Sequence, residues 1–170
     1  MRRFTILSLL LGLLVSAPLR AEERVEIDPV EDVVVPLFDA VLAENMEQAS
    51  ALVAKDAQLF AMFNPSGETG QDSIRQFPIM DYFALVTRNY ENIAFIDRTY
   101  SVANDGRTVW MEASGDLRLE PTGAPYRNRY VFKFTINEEG KVSELKEWVN
   151  TVTLTQQGVT ARQDSRDTDP

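Results

Sequence analysis

The feature that most constrains this chain is a two-residue alternation running through residues 107–154. Arg107–Leu119 reads as one strand, Pro121–Pro125 as a turn and Tyr126–Ile136 as a second strand. Asn137–Gly140 reads as a second turn and Lys141–Leu154 as a third strand. In the middle strand Tyr126, Asn128, Tyr130, Phe132, Phe134 and Ile136 share one face, and Arg127, Arg129, Val131, Lys133 and Thr135 share the other. Successive strand side chains point to opposite faces, so one face lies on a core and the other in water. In the preceding strand Val109, Met111, Ala113, Gly115 and Leu117 read as core, and Trp110, Glu112, Ser114 and Asp116 as the outer row. Asn128 interrupts the apolar face. A buried amide needs a partner from protein, water or ligand, so the pattern points to a cavity without naming its occupant.

Helices come before this meander. Asp28 caps, Pro29 suits the first turn and Glu31 completes a capping box. Val30, Val33, Val34, Leu37, Phe38, Val41 and Leu42 then recur at helical spacing, with Pro36 implying a kink or a later start near Val35. Asn45 caps a second helix, with Gln48 three residues on. Ala57–Phe63 reads as a short buried strand closed by Asn64–Gly67. Gly70–Arg88 reads as a third helix starting near Asp72 or Ser73, with Ile74, Phe77, Met80 or Asp81, and Phe83-Ala84 inward and Pro78 bending it. Asn92–Val102 is another strand, turned by Asn104–Gly106. Helices first and antiparallel strands after make an α+β layout: a cone-shaped fold, three N-terminal helices packed on a curved antiparallel sheet.

The first 21 residues read as a signal peptide. Arg2 and Arg3 are followed by an apolar run, Ile6–Ala17, too short to span a bilayer comfortably, and Ala21 precedes Glu22 and Glu23. Residues 22–154 form the domain, and 155–170, poor in apolar side chains, a disordered tail. The expected location is periplasmic or secreted, with no membrane association after processing. Intact mass of the exported protein is expected to begin at Glu22; a full-length species retaining Met1 in that compartment contradicts this. Removing Arg2, Arg3 and Arg20 takes the net charge from −9 to −12. Such a surface disfavours nucleic acid. With no Cys and no His, disulfides, thiolate chemistry and the commonest metal ligand are absent. No phosphate loop or metal cluster is visible, and no cofactor is expected. Acid–base chemistry must rest on Asp, Glu, Tyr or Lys.

The order of motifs resembles the nuclear-transport-factor-2-like superfamily, which includes the SnoaL-like polyketide cyclases. The residues that carry it are Gly115 at the close of a strand, Gly123 to Tyr126, the turn glycine Gly140 before Lys141-Val142, and Glu147-Trp148-Val149-Asn150. Trp110/Glu112, Tyr126/Asn128 and Glu147/Trp148/Asn150 are most similar to the phenazine-biosynthesis A/B type. The resemblance covers roughly residues 28–154. It implies a ligand cavity with Glu147 as an acid–base residue, and possible homodimer formation through the outer sheet face. Two departures stand against an enzyme. The ketosteroid isomerases carry an Asp on the first strand, where this chain has Leu59–Phe63, and some phenazine-type members carry a His near the position of Phe77.

Glu147, between Leu145 and Val149 on one strand face, is the candidate catalytic residue; the alternative is an edge carboxylate paired with Arg127 or Arg129. Tyr126 and Asn128, at i and i+2, are candidates to hold a carbonyl or hydroxyl, or are engaged in the strand itself. Phe60, Met62, Phe77, Tyr82, Phe83 and Tyr130 are the expected apolar lining. Three functions follow: binding of a small, largely apolar molecule; an isomerase, cyclase or dehydratase using Glu147; or a protein-interaction module with a vestigial cavity.

Overall fold

A computed structural model of the protein describes residues 27–63 and 74–156. The expected signal peptide, the start expected for the third helix at Asp72 or Ser73, and the tail from residue 157 lie outside the described residues.

Asp28 opens the first helical run. Its carboxylate accepts from the backbone of Val30 and Glu31. The residue that answers it is Asp32, whose carboxylate accepts from the Asp28 N–H, so Asp32 and not Glu31 closes the box. The run is π-helical over Pro29–Val34 and α-helical over Val35–Leu42, α1. The change of winding comes just before Pro36, which has no N–H to offer the preceding turn. Asn45 accepts from the Gln48 backbone and starts α2, Met46–Ala51.

Strands β1, Val53–Ala61, and β2, Arg75–Pro78, come next, then α3, Ile79–Asn89. They are followed by β3, Tyr90–Val102; β4, Thr108–Leu119; β5, Ala124–Ile136; β6, Val142–Val149; and a short α4, Thr151–Gln156. The sheet order is β2-β1-β6-β5-β4-β3.

The α+β architecture stands, with an antiparallel-rich sheet. Four details of the expectation are corrected. Only one long helical run stands at the N-terminus; α2 is a six-residue helix, and α3 arrives after two strands. The sheet is mixed, because β1 runs parallel to β6. Arg75–Pro78 is strand where helix was expected: it pairs with β1, and Pro78 precedes the helix rather than bending its middle. The last strand ends at Val149. Asn150 then accepts from the backbone of Val152 and Thr153 and starts α4, which buries Leu154 and includes Thr155 and Gln156 of the expected tail.

The core lies between the helices and one sheet face. Val33, Val34, Leu37, Phe38 and Val41 descend onto Val109, Met111, Leu117, Phe132 and Phe134. Phe38 meets Phe95, Phe132 and Phe134 edge to face, the geometry favoured by the aromatic quadrupole. Two irregularities in the pairing of β3 with β4 accompany Asn92 and Asp97, at φ 49° and 53°. Bulges of this kind bend a strand, and here they fall on the strand that carries Ile93 and Phe95. The other face is wet. Arg127 pairs with Asp116 and Arg129 donates to Ser114 there, while Trp110 and Trp148 stack across β5.

Gly115 lies inside β4 and does not close it. A Cβ at this position would sit 2.5 Å from Tyr130 Cε2 and 2.9 Å from Leu117 Cδ1. The missing side chain is what lets the Tyr130 ring lie against the strand. Gly115→Ala is expected to destabilise by about 1–3 kcal/mol through overpacking, read as a lower urea midpoint. An unchanged midpoint would show that Tyr130 has room to move.

Candidate functional site

The inner face of β6 carries Glu147 into the molecule. Parallel pairing sets Ala61 of β1 opposite Glu147, and antiparallel pairing sets Phe132 of β5 on its other side. Ala61 is small, so space remains above the carboxylate. That space is part of a cavity of about 590 Å³, within the range of small-molecule sites. Its walls include Phe38, Val41, Phe77, Phe83, Val86, Ile93, Phe95, Leu117, Phe132 and Leu154, together with Tyr82, Tyr90, Tyr126 and Tyr130.

Glu147 is only 3% exposed. Tyr82 of α3 donates a short hydrogen bond to its Oε2. Among the described residues every buried side-chain oxygen and nitrogen has a partner, and none of those residues bonds to Oε1. Oε1 is therefore the oxygen that opens on the cavity. The ion pairs among the described residues bypass Glu147. Arg127 and Arg129 are on the opposite sheet face, which removes the edge-carboxylate alternative. Burial without a cation raises the Glu147 pKa to about 7, with the Tyr82 hydrogen bond pulling the other way. Both protonation states are then populated near neutrality, the condition for donating and accepting protons at the same atom.

The tyrosines are pushed up the pH scale as well. Burial raises the pKa of Tyr82 and Tyr130 well above the ordinary phenol value, and the Glu147 carboxylate adds to this. Tyr90 and Tyr126 are raised as well, burial again leading. All four remain protonated donors around one carboxylate.

Asn128 does not join them. Its amide donates to the Tyr126 hydroxyl at 2.8 Å and to the Asn150 carbonyl at 3.1 Å. Its Oδ1 accepts from the backbone of Arg129 at 2.7 Å and of Asn150 at 3.1 Å. Two donors and two acceptors are thereby used. Asn128 is absent from the cavity wall, and as a ligand contact it is corrected to a clamp between β5 and the β6–α4 junction. Tyr126 lines the cavity, but its hydroxyl is held by Asn128 and Tyr130.

The lining is corrected in β1. Leu59 and Ala61 are the buried positions there, so Phe60 projects from the opposite face, where the Lys146 ammonium lies 5.7 Å from its ring. Ala61 and Phe63 line the cavity in place of Phe60 and Met62. Phe77, Tyr82, Phe83 and Tyr130 stand where expected, Phe77 from β2 and not from a helix. Tyr90, which stacks on Tyr126, and the exposed Arg75 and Arg88 were not anticipated. Among the described residues no His, Cys, Asp and Glu group could hold a metal ion.

A family model described as SnoaL-like domain matches residues 34–145, and the chain belongs to that family. Among curated proteins none matches the sequence. Solved structures share the fold. An NTF2-like protein from Burkholderia xenovorans is 16% identical, with a TM-score of 0.59 over 76% of this chain and 94% of its own. A phenazine biosynthesis-related protein from Pseudomonas aeruginosa is 14% identical, with a TM-score of 0.55 over 76% and 86%. The epoxide hydrolase/cyclase-like enzyme SalBIII, of pyran ring formation in polyether salinomycin, is 17% identical, with a TM-score of 0.55 over 71% and 89%.

Proposed function

We propose that the protein is a proton-transfer enzyme of the isomerase, cyclase or dehydratase kind, acting on a small, largely apolar molecule with Glu147 as general acid–base. One observation carries this reading: a buried carboxylate, with no cation partner among the described residues, has one oxygen fixed by Tyr82 and the other facing a largely apolar cavity. A site for binding alone would be better served by an uncharged residue, since burying an ionisable acid opposes stability. The Tyr90 hydroxyl, which is not committed to Glu147 or to Tyr126, supplies a donor for a carbonyl or hydroxyl whose charge changes during the reaction. The phenazine-related and epoxide hydrolase/cyclase-like proteins of the same fold lend support by analogy. Export after Ala21, and pairing of two copies through the outer sheet face around Trp110 and Trp148, belong to the same proposal.

The test uses nitrobenzisoxazole, a small aromatic molecule whose ring opens when a base removes one proton. The protein should accelerate this reaction, with a rate that rises with pH and has its midpoint near 7. Glu147→Gln should lower the rate by about 10²–10⁴-fold, the usual contribution of a positioned base. Equal rates in the two proteins, with the probe bound by both, would leave a binding module.

A further inference from the structure

Seven arginines fall among the described residues. Five have partners: Arg98 with Asp39, Arg107 with Glu138, Arg118 with the Gly123 carbonyl, Arg127 with Asp116 and Arg129 with Ser114. The other two are Arg75, which opens β2, and Arg88, in the last turn of α3. Neither has a side-chain hydrogen bond or ion pair among the described residues. Both line the cavity and both are exposed, so both stand where it meets solvent. The chain carries 26 acidic residues against 17 basic ones. In such a chain acidic partners for a surface arginine are plentiful, yet the two arginines left without one among the described residues share a single opening. Glu120, also on the lining, is engaged within the chain.

We infer that the cavity takes an amphipathic anion, with its apolar body among Phe83, Phe95 and Phe132 and its single oxyanion group held at the opening by Arg75 and Arg88. This deepens the proposed function and rests on it for the apolar body. Guanidinium groups suit carboxylate and related oxyanions because their donors form a fixed planar fork. The interior reinforces the orientation. An anion pushed to the depth of the cavity would meet the Glu147 carboxylate and lose its hydration, whereas at the opening it keeps water and gains the arginines. The ligand therefore enters with its charged end outward and presents its uncharged end to Glu147 Oε1.

Two fluorescent probes of nearly the same shape separate charge from burial: anilinonaphthalenesulfonate and its uncharged parent, phenylnaphthylamine. Titrated at low salt into the full chain, the sulfonate should bind about tenfold tighter than the parent amine, and the two should displace each other. In the double variant Arg75→Gln/Arg88→Gln that preference should vanish, with affinity for the parent amine held within about twofold. Both arginines are exposed, so the variant is expected to fold. Equal affinities in the wild type would overturn the inference. So would a preference that survives in the double variant, or probes that fail to compete. Glu147→Gln should keep the preference while losing turnover of nitrobenzisoxazole, so failure of the anion site and failure of the catalytic reading give different results.

Discussion

Asn128→Leu is expected to lower the stability of the domain by about 3–5 kcal/mol. The side chain is 5% exposed and makes four hydrogen bonds, two of them to the backbone of Asn150 and one to that of Arg129. Leu fills the same space and satisfies none of them. The Asn150 carbonyl, the Tyr126 hydroxyl and two backbone N–H groups lose a bond in a region with little access to water. Asn150 also starts α4, so the loss reaches the helix that buries Leu154. Urea unfolding reads the effect as a lower midpoint at similar slope. A loss below about 1 kcal/mol would mean that these bonds are readily replaced and that Asn128 is no clamp.

Glu147→Gln is expected to abolish the pH dependence of stability that Glu147 imposes. In the folded protein the acid titrates at about 7, against an ordinary value of 4.5. Below pH 4.5 both states hold the proton and the residue is neutral in each. Between 4.5 and 7 the unfolded chain releases its proton while the folded one retains it, so rising pH favours unfolding. Above 7 the folded state ionises too, and the loss levels off at about 3 kcal/mol. Gln stays neutral throughout and keeps an oxygen for the Tyr82 hydroxyl. The variant should match the parent near pH 4 and exceed its stability by about 1–3 kcal/mol near pH 8, the unpaired amide offsetting part of the gain. Destabilisation by Gln at pH 8 would instead mean that the carboxylate is held by a cation.

What the sequence made legible follows from where the signal was local. Strands β4 and β5 alternate cleanly, and their buried faces are those read from the alternation. The buried position of Glu147 was legible for the same reason, with Leu145 two residues away on one face. At the end of β1 and just beyond it the run Leu59–Phe63 is apolar on both faces, so the alternation there has no phase. Pairing with β6, some 86 residues away between Ala61 and Glu147, sets it, and the choice of Phe60 and Met62 missed by the one-residue slip that exchanges faces. Arg75–Pro78 fails likewise, since four residues with helical spacing became strand only by pairing with β1. Tyr90 was hidden because the irregularities at Asn92 and Asp97 break the period of β3. The end of β6 carried a local signal that was passed over: Asn150, followed by Thr151 to Leu154, is an N-cap before a short helix.

The central claim is that Glu147, buried in the cavity with no ion-pair partner among the described residues, exchanges its proton near neutrality. Carbon-13 NMR of the glutamate side-chain carboxyls, with the Glu147 signal assigned by its loss in Glu147→Gln, follows that titration directly. The account predicts a midpoint near pH 7, moving with Tyr82→Phe because a hydrogen bond to the charged form is removed. That move should be upward. A midpoint between about 4 and 5, where unperturbed glutamates titrate, unmoved by Tyr82→Phe, would contradict it.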